Sequence, residues 1–507
     1  MQAVDLFDEG PGVTMKDLKD KVIRGGLAKV CAQAANFLVR VSSLMVLARL
    51  LNPKDFGLVG MVTAVIGVLN LFKDFGLSTA AVQRTTITDE QISTLFWVNM
   101  LVGATLGLLS LAIAPILVVF YHESRLFWMT VVLAAGFLLN AAGVQHSTFL
   151  QRQMRFTALA VIDIFSLVVS TGVGIGMAMS GYGYWALVGM TVIYPLVSTI
   201  CLWLCTGWVP GMPRRQVGIR SMLRFGGTMT LSGLVVYIAY NLEKVLLGRF
   251  WGAEVVGVYG RAFQLISIPT DNLNSAVGGV AFSALSRVRD DPNRFRSYFL
   301  KGYSLILGLT IPITIVCALF ANDLIFVVLG PRWKDAVPLF RLLAPTIFVL
   351  ALINPLGWLI FSLGLVERSL KVALVLAPLV IAGYAIGLPY GPKGVAFGYS
   401  AVMTLWVVPH IAWAVHGTVI SFRDIAVAVS RPFVSGIVAA VFTLGVQFLF
   451  GQSLSHLPRL VLGITILFGT YIGMLFYVMG QKTFYSDLLR GLLSRRSSLE
   501  EKTLVPA

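Results

Sequence analysis

Charge is what this chain has least of. Of its 507 residues only 12% are Asp, Glu, Lys or Arg, about half the share of a soluble protein. With 57% hydrophobic residues and a mean hydropathy of +0.84, that scarcity excludes a soluble fold. Cysteine is rare too. Cys31, Cys201, Cys205 and Cys317 all fall inside apolar runs, and their spacings match no metal motif and no disulfide framework. An apolar signal-peptide core is missing from the first 14 residues, MQAVDLFDEGPGVT, which are acidic and Gly/Pro-containing. Either translation starts at Met15, or residues 1–14 form a disordered tail. Long polar connectors are absent as well. The longest lie near 207–223 and 283–298, too short for a folded extramembrane domain. This argues against a membrane enzyme, which usually shows a catalytic loop or domain carrying clustered acids, His or Ser.

What is present is one apolar run after another. Each is about 20 residues long, which is one bilayer crossing as a helix. Lipid cannot satisfy backbone groups, and continuous runs without alternation exclude a barrel, so the chain is an all-α polytopic membrane protein. Spans are expected near 27–48, 57–82, 92–120, 126–150, 158–180, 184–206, 224–248, 256–282, 299–321, 336–362, 369–387, 394–416, 428–450 and 460–480. The eleventh is interrupted by Pro378 and Gly383, so its ends are the least well defined.

The net charge of +16 is a topology code rather than a nucleic-acid footprint. Alternate connectors hold Lys16, Lys19, Lys21 and Arg24, then Arg84, Arg152, Arg155, Arg214, Arg215 and Arg220. Arg287, Arg289, Arg294, Arg296, Arg368, Lys371, Arg423 and a basic tail continue the same side. The other side has Arg49, Lys54, Arg125, Lys393 and few more, a bias of roughly threefold that puts both termini in the cytoplasm. The expected organisation is a tail (1–26), an N-lobe (27–206), a linker (207–223), a C-lobe (224–416), two further spans (428–480) and a second tail (481–507).

A repeat recurs at an offset of about 200 residues, and an even number of spans between copies gives both the same orientation. RGG (24–26) and LARLLNPKDFGLVG (47–60) return as RFGG (224–227) and LGRFWGAEVVGVYG (247–260), matching Arg49 to Arg249, Gly57 to Gly257 and Gly60 to Gly260. Two six-helix lobes related by a pseudo-two-fold along the membrane normal, plus two C-terminal helices, account for about fourteen spans.

Polar residues concentrate in the first two spans of each copy. In the first, Lys29, Gln33, Asn36, Arg40 and Ser43 step by four or three, which stacks them on one side of a helix. The second carries Thr63, Gly67, Asn70 and Asp74, with Lys73 beside them. The seventh carries Tyr237, Asn241 and Lys244 on one face and Glu243 about 100° round. The eighth carries Arg261, Gln264, Asp271 and Ser275. Charge at membrane depth is expensive, about 2.5 kcal/mol or more per residue, so it marks a substrate path by default. Arg40, near mid-span, is the strongest cavity residue. Arg261 lies about a turn from its span's outer end, where snorkelling competes with a cavity role. Lys29 reads as a topology anchor, and Arg49 and Arg249 as fixing helix-to-loop turns. Asp74 and Asp271 have a simpler reading as counter-charges, and Glu243 with Lys244 as a neighbour pair. His410, His416 and His146 leave a proton relay open. Spans 13 and 14 are almost wholly apolar.

The run RVSSLMVLARLLNPKDFGLVGMVTAVIGVLNLFKDFGLSTAAVQR resembles the polysaccharide-exporter (Wzx-type) family of the multidrug/oligosaccharidyl-lipid/polysaccharide flippase superfamily. So do YGRAFQLISIPTDNLNSAVGGVAFSALSRVRDD and LGPRWKDAVPLFRLLAP, and the likeness is to the colanic-acid-exporter-like branch. The resemblance implies a V-shaped bundle working by alternating access. It implies an undecaprenyl-diphosphate-linked oligosaccharide as substrate, flipped across the bacterial inner membrane. A polysaccharide polymerase and a chain-length regulator are implied partners, with membrane lipids and without nucleic acid. In related lipid II flippases, cations of spans 1, 2 and 8 line the cavity; the equivalents here are Arg40 and Arg261, with Lys73 alone in span 2. The sodium site of those relatives needs acids in spans 11 and 12. Here Glu243 exists in span 7 but those two spans have none, so a sodium site of that design is not supported; no cofactor is expected, and the coupling ion, proton or sodium, stays open.

The residue chemistry fits that substrate. Arg grips a diphosphate bidentately and Lys holds it as a point charge. Asn36, Gln33, Asn70, Tyr237, Tyr240, Asn241 and Gln264 supply walls for sugars, while an isoprenoid tail stays in lipid. The nearest alternative is a drug/cation antiporter of the same superfamily, whose cavity should be acidic rather than led by Arg40.

Overall fold

The computed structural model describes residues 15–73, 88–213, 220–450, 454–483 and 485. They are helical, with no strand among the described residues. They divide into two compact units, one ending at Gly260 and the other beginning at Arg261.

In the first unit, α1 (Met15–Leu50) and α2 (Pro53–Asn70) are separated by a two-residue turn. Pro53 suits the first helical turn, where its missing N–H loses no bond, and the Asn52 N–H donates to Asp55 Oδ2 at 3.0 Å. The next helix, α3 (Asp89–Tyr121), opens on a reciprocal cap. Gln91 N donates to Thr88 Oγ1 at 3.3 Å and Thr88 N to Gln91 Oε1 at 3.1 Å. It ends on His122, whose left-handed backbone (φ 55°) turns the chain into α4 (Arg125–Arg152). Arg125 Nε meets Glu123 Oε1 at 2.7 Å across that turn, and the bond holds the Glu123 carboxyl below its ordinary range. α5 (Phe156–Met179) and α6 (Trp185–Thr206) complete the bundle. α3 packs on α4, α4 on α6, α6 on α5 and α5 on α1. The α3–α4 crossing is close because Gly103 has no side chain. A Cβ there would lie 2.6 Å from Ala141 Cβ and 2.9 Å from the Phe137 carbonyl oxygen.

The long helix α7 (Arg220–Arg287) contains one non-helical residue, Gly252, at φ 83° and ψ 177°. This break falls between the seventh and eighth expected spans. Its first part belongs to the first unit and its second part to the other.

The second unit continues with α8 (Pro292–Leu319), α9 (Ala321–Val328), α10 (Ala336–Leu343) and α11 (Pro345–Ser362). The tenth expected span is thus two helices, stepped at Pro345, where a proline cannot donate to the preceding turn. α12 (Val366–Gly387) is unbroken despite Pro378 and Gly383. Gly383 and Gly387 meet Gly398 and Gly394 of α13 (Gly391–Val415), backbone against backbone, in an antiparallel pair. The glycine that looked like an interruption is a contact. α14 (Phe422–Phe450) and α15 (His456–Gly473) pack on each other, and α14 also packs on α8.

Nine helical segments among the described residues are long and apolar enough to cross a membrane. Of these, Glu367–Val415 covers the α12–α13 pair. The exposed faces are greasy, as lipid contact requires: Leu204 is 80% exposed and Leu405 77%. The chain is an all-α, multi-pass membrane protein. α1, α2 and α7 are the helices that carry the polar stripes.

Candidate functional site

The stripe on α1 does not behave as one uniform wet face. Gln33 and Arg40 are exposed, while Asn36 and Ser43 are buried in the first unit. Asn36 is buried because it has a partner: its Nδ2 donates to Asp163 Oδ2 at 2.6 Å. Tyr194 on α6 donates its hydroxyl to the other oxygen of the same carboxylate. Three helices, α1, α5 and α6, are therefore joined through one acid at membrane depth. Arg40 lies one helical turn beyond Asn36, within electrostatic reach of Tyr194. It has no ion-pair partner among the described residues, and its exposed side chain is available to a ligand.

Asp163 was not among the residues that the stripes single out. Its signal was nonetheless present, as one acid inside the apolar run ALAVIDIFSLVV. What the spacing does not reveal is that its partner lies 127 residues away.

On α2, Asn70 ends the helix exposed, and Lys73 is exposed just beyond it. Asp74 lies outside the described residues. Tyr237 of α7 lies across Gly67 of α2, with its hydroxyl 3.2 Å from the Thr63 carbonyl oxygen and 3.4 Å from that of Ala64. A polar wall residue for sugars was expected there; the hydroxyl is engaged on the α2 backbone instead. Asn241 Nδ2 donates to the Tyr237 carbonyl at 3.0 Å, and Lys244 Nζ donates to Asn241 Oδ1 at 2.8 Å. Tyr237, Asn241 and Lys244 do share one face. Glu243 does not pair with Lys244, because the lysine reaches back along its own face to Asn241. Glu243 is fully buried, and no side chain among the described residues hydrogen-bonds to it. Of the two turn arginines, Arg249 sits over the Phe120 ring at 5.6 Å.

The second unit holds the remaining expected residues. Arg261 donates to the side-chain oxygen of Gln264, one turn on along the same face. Gln264 and Asp271 are exposed. Near them Phe263 meets Tyr399 edge-on at 5.6 Å, and Tyr399 stacks on Tyr384 at 5.8 Å. Two of the three histidines left open as relays have local partners. Trp406 Nε1 donates to His410 Nδ1 at 3.1 Å, and His146 Nδ1 lies 2.7 Å from Thr206 Oγ1, packed against Trp203. No cluster of metal-ligating side chains occurs among the described residues.

This geometry leaves Arg40 exposed while Asn36 and Tyr194 occupy the Asp163 carboxylate. Nothing in it resembles a nucleophile–base pair. A family model described as polysaccharide biosynthesis protein matches residues 46–338. The teichuronic acid biosynthesis protein TuaB of Bacillus subtilis (strain 168) is 30% identical over 57% of this chain, which spans 61% of that relative's length. The lipopolysaccharide biosynthesis protein WzxC of Escherichia coli (strain K12) is 24% identical over 76% of this chain and 80% of its own. The succinoglycan biosynthesis transport protein ExoT of Rhizobium meliloti (strain 1021) is 24% identical over 92% and 93%. Among solved structures, the lipid II flippase MurJ in an inward closed conformation superposes with a TM-score of 0.72 at 13% identity, covering 92% of this chain and all of that one. An inward-facing multidrug resistance MATE family transporter gives 0.63 at 14% identity over 78% and 95%. At such identities these two structures speak for the fold alone. The family model covers more than half of the sequence, and the chain belongs to the polysaccharide biosynthesis protein family.

Proposed function

We propose that this protein is a flippase that carries undecaprenyl-diphosphate-linked oligosaccharide repeat units across the bacterial inner membrane by alternating access. The polymer served is an exopolysaccharide, O-antigen or capsule, and both termini lie in the cytoplasm. The observation that carries the reading is on α1: Arg40 is exposed and free of any acid among the described residues, while Asp163 is occupied by Asn36 and Tyr194. A diphosphate needs a cation with unspent donors, and Arg offers them in a fork that fits phosphate oxygens. One such cation holds the head group while still allowing release on the far side.

Relatives support the direction of this reading. ExoT, which aligns along nearly the whole chain, is named a transport protein of succinoglycan biosynthesis. The MATE likeness is one of fold, and a cationic Arg40 repels the cationic drugs that an antiporter of that kind would take. Expression in a strain lacking its own flippase tests the reading. Restored polymer, with the lipid-linked repeat unit accumulating only when the protein is absent, supports it. Unrestored polymer alongside uptake or efflux of cationic dyes would favour the antiporter.

A further inference from the structure

The second unit carries a cationic groove of its own. α8 presents Arg296 and Leu300 one turn apart, and α14 presents Asp424, Val427 and Arg431 at helical spacing. Where these helices pack, an open cavity of about 600 Å³ lies between the two faces, with Gln481 also in its lining. Arg423 lines it as well.

Its charges do not cancel. Asp424 is held by Arg296, through Nε at 3.0 Å to one oxygen and through Nη2 to the other. The Ser421 N–H donates to the same carboxylate at 3.0 Å, so the acid is fully engaged. Arg423 and Arg431 are exposed and make no ion pair among the described residues. Two cations thus face one cavity without an acid to neutralise them.

The surroundings say what kind of anion fits. Arg431 lies about 10 Å further along α14 than Asp424, at 1.5 Å rise per residue. At that depth the neighbours are lipid-facing: Phe433 is 43% exposed and Val434 42%. Leu300 and Val427 give the groove an apolar wall. A phosphate dissolved in water gains nothing from such a wall, whereas a phosphate with acyl chains attached gains from both parts. We propose that this groove binds the phosphate of an anionic phospholipid of the leaflet at this end of the bundle. Only the name of that leaflet, cytoplasmic, rests on the orientation proposed above.

The test uses the purified full-length protein in detergent and reads its thermal midpoint as lipid is added. Phosphatidylglycerol should raise the midpoint, while phosphatidylcholine and inorganic phosphate should leave it unchanged. In Arg423→Gln/Arg431→Gln the phosphatidylglycerol concentration needed for half the shift should rise about thirtyfold, at roughly fivefold per arginine beside an anionic lipid. Arg423→Gln alone, on an exposed first-turn side chain, should show about a fivefold rise even if the double variant folds poorly. An unchanged response in that single variant would overturn the proposal. So would an equal shift from phosphatidylcholine or inorganic phosphate, or a marked preference for undecaprenyl phosphate over phosphatidylglycerol. No transport is measured, so this result and the fate of the flippase reading are independent.

Discussion

The backbones of Gly57 and Gly257 touch. A Cβ on Gly57 would lie 2.9 Å from the Gly257 nitrogen, and a Cβ on Gly257 would lie 3.0 Å from the Gly57 nitrogen. The contact is reciprocal in its flanks too: Gly57 abuts the Ala253 carbonyl and Gly257 the Pro53 carbonyl. These four residues are two pairs related by the 200-residue repeat, so equivalent positions of the two copies meet each other. Self-complementary contact between like elements is what a local two-fold produces, and small residues permit it in a membrane, where close packing replaces the hydrophobic effect.

Neither glycine therefore tolerates a side chain. Gly57→Ala and Gly257→Ala should each cost about 1–3 kcal/mol through overpacking, and by similar amounts because the contact is symmetric. Thermal unfolding in detergent measures this. A pair of variants with unequal losses would speak against the reciprocal geometry.

Asp163 is predicted to matter as an acceptor before it matters as a charge. Asp163→Ala strands the Asn36 amide and the Tyr194 hydroxyl, at a cost of about 1–3 kcal/mol for each buried group left unpaired. Asp163→Asn should cost under about 1.5 kcal/mol, since the buried Asn36 Oδ1, which has no partner among the described residues, accepts from the new amide after a flip of Asn36. A thermal shift comparing the two variants decides it, and equal losses would count against the acceptor role.

In the second unit, Asp323 meets a histidine and an arginine. Its Oδ1 lies 2.6 Å from His456 Nδ1 and 3.5 Å from Arg459 Nε, and it is itself buried. This ties α9 to the start of α15. Asp323→Ala should cost about 1–3 kcal/mol, since the two partners it strands keep part of their contact with solvent. Loosening of α15 should appear as faster proteolysis between α14 and α15; unchanged cleavage would contradict the tie.

Much of this was legible from residues, and the gaps have physical causes. Apolar runs located the helices well, since α3 to α6 begin and end within a few residues of the expected spans. The break between the seventh and eighth spans was visible as a gap between apolar runs, and the repeat matched Gly57 to Gly257. Spacing put Tyr237, Asn241 and Lys244 on one face, and they share it. Spacing alone was silent about partners. It offered Asn36 as a wall for sugars without revealing its bond to a distant acid, and it passed over Asp163, although Ser166 and Ser170 follow it at steps of three and four. Pairing across 127 residues is set by tertiary packing, which a one-dimensional pattern does not carry. For the same reason Gly383 read as an interruption rather than as a crossing.

Tyr237 offers a smaller check on the stripe of α7. Tyr237→Phe removes a hydroxyl from the α2 backbone and should cost about 1 kcal/mol in thermal stability. Polymer export should survive, because the hydroxyl is spent on α2 rather than on sugar. Lost export with unchanged stability would return Tyr237 to the substrate path.

In the flippase proposed above Arg40 holds the lipid diphosphate, and Arg40→Ala in a flippase-deficient strain is the direct test. Polymer at the cell surface and the amount of protein in the membrane are measured together. No polymer at normal protein abundance is expected, with partial recovery in Arg40→Lys, which keeps the charge without the fork. Full polymer from Arg40→Ala would contradict the account.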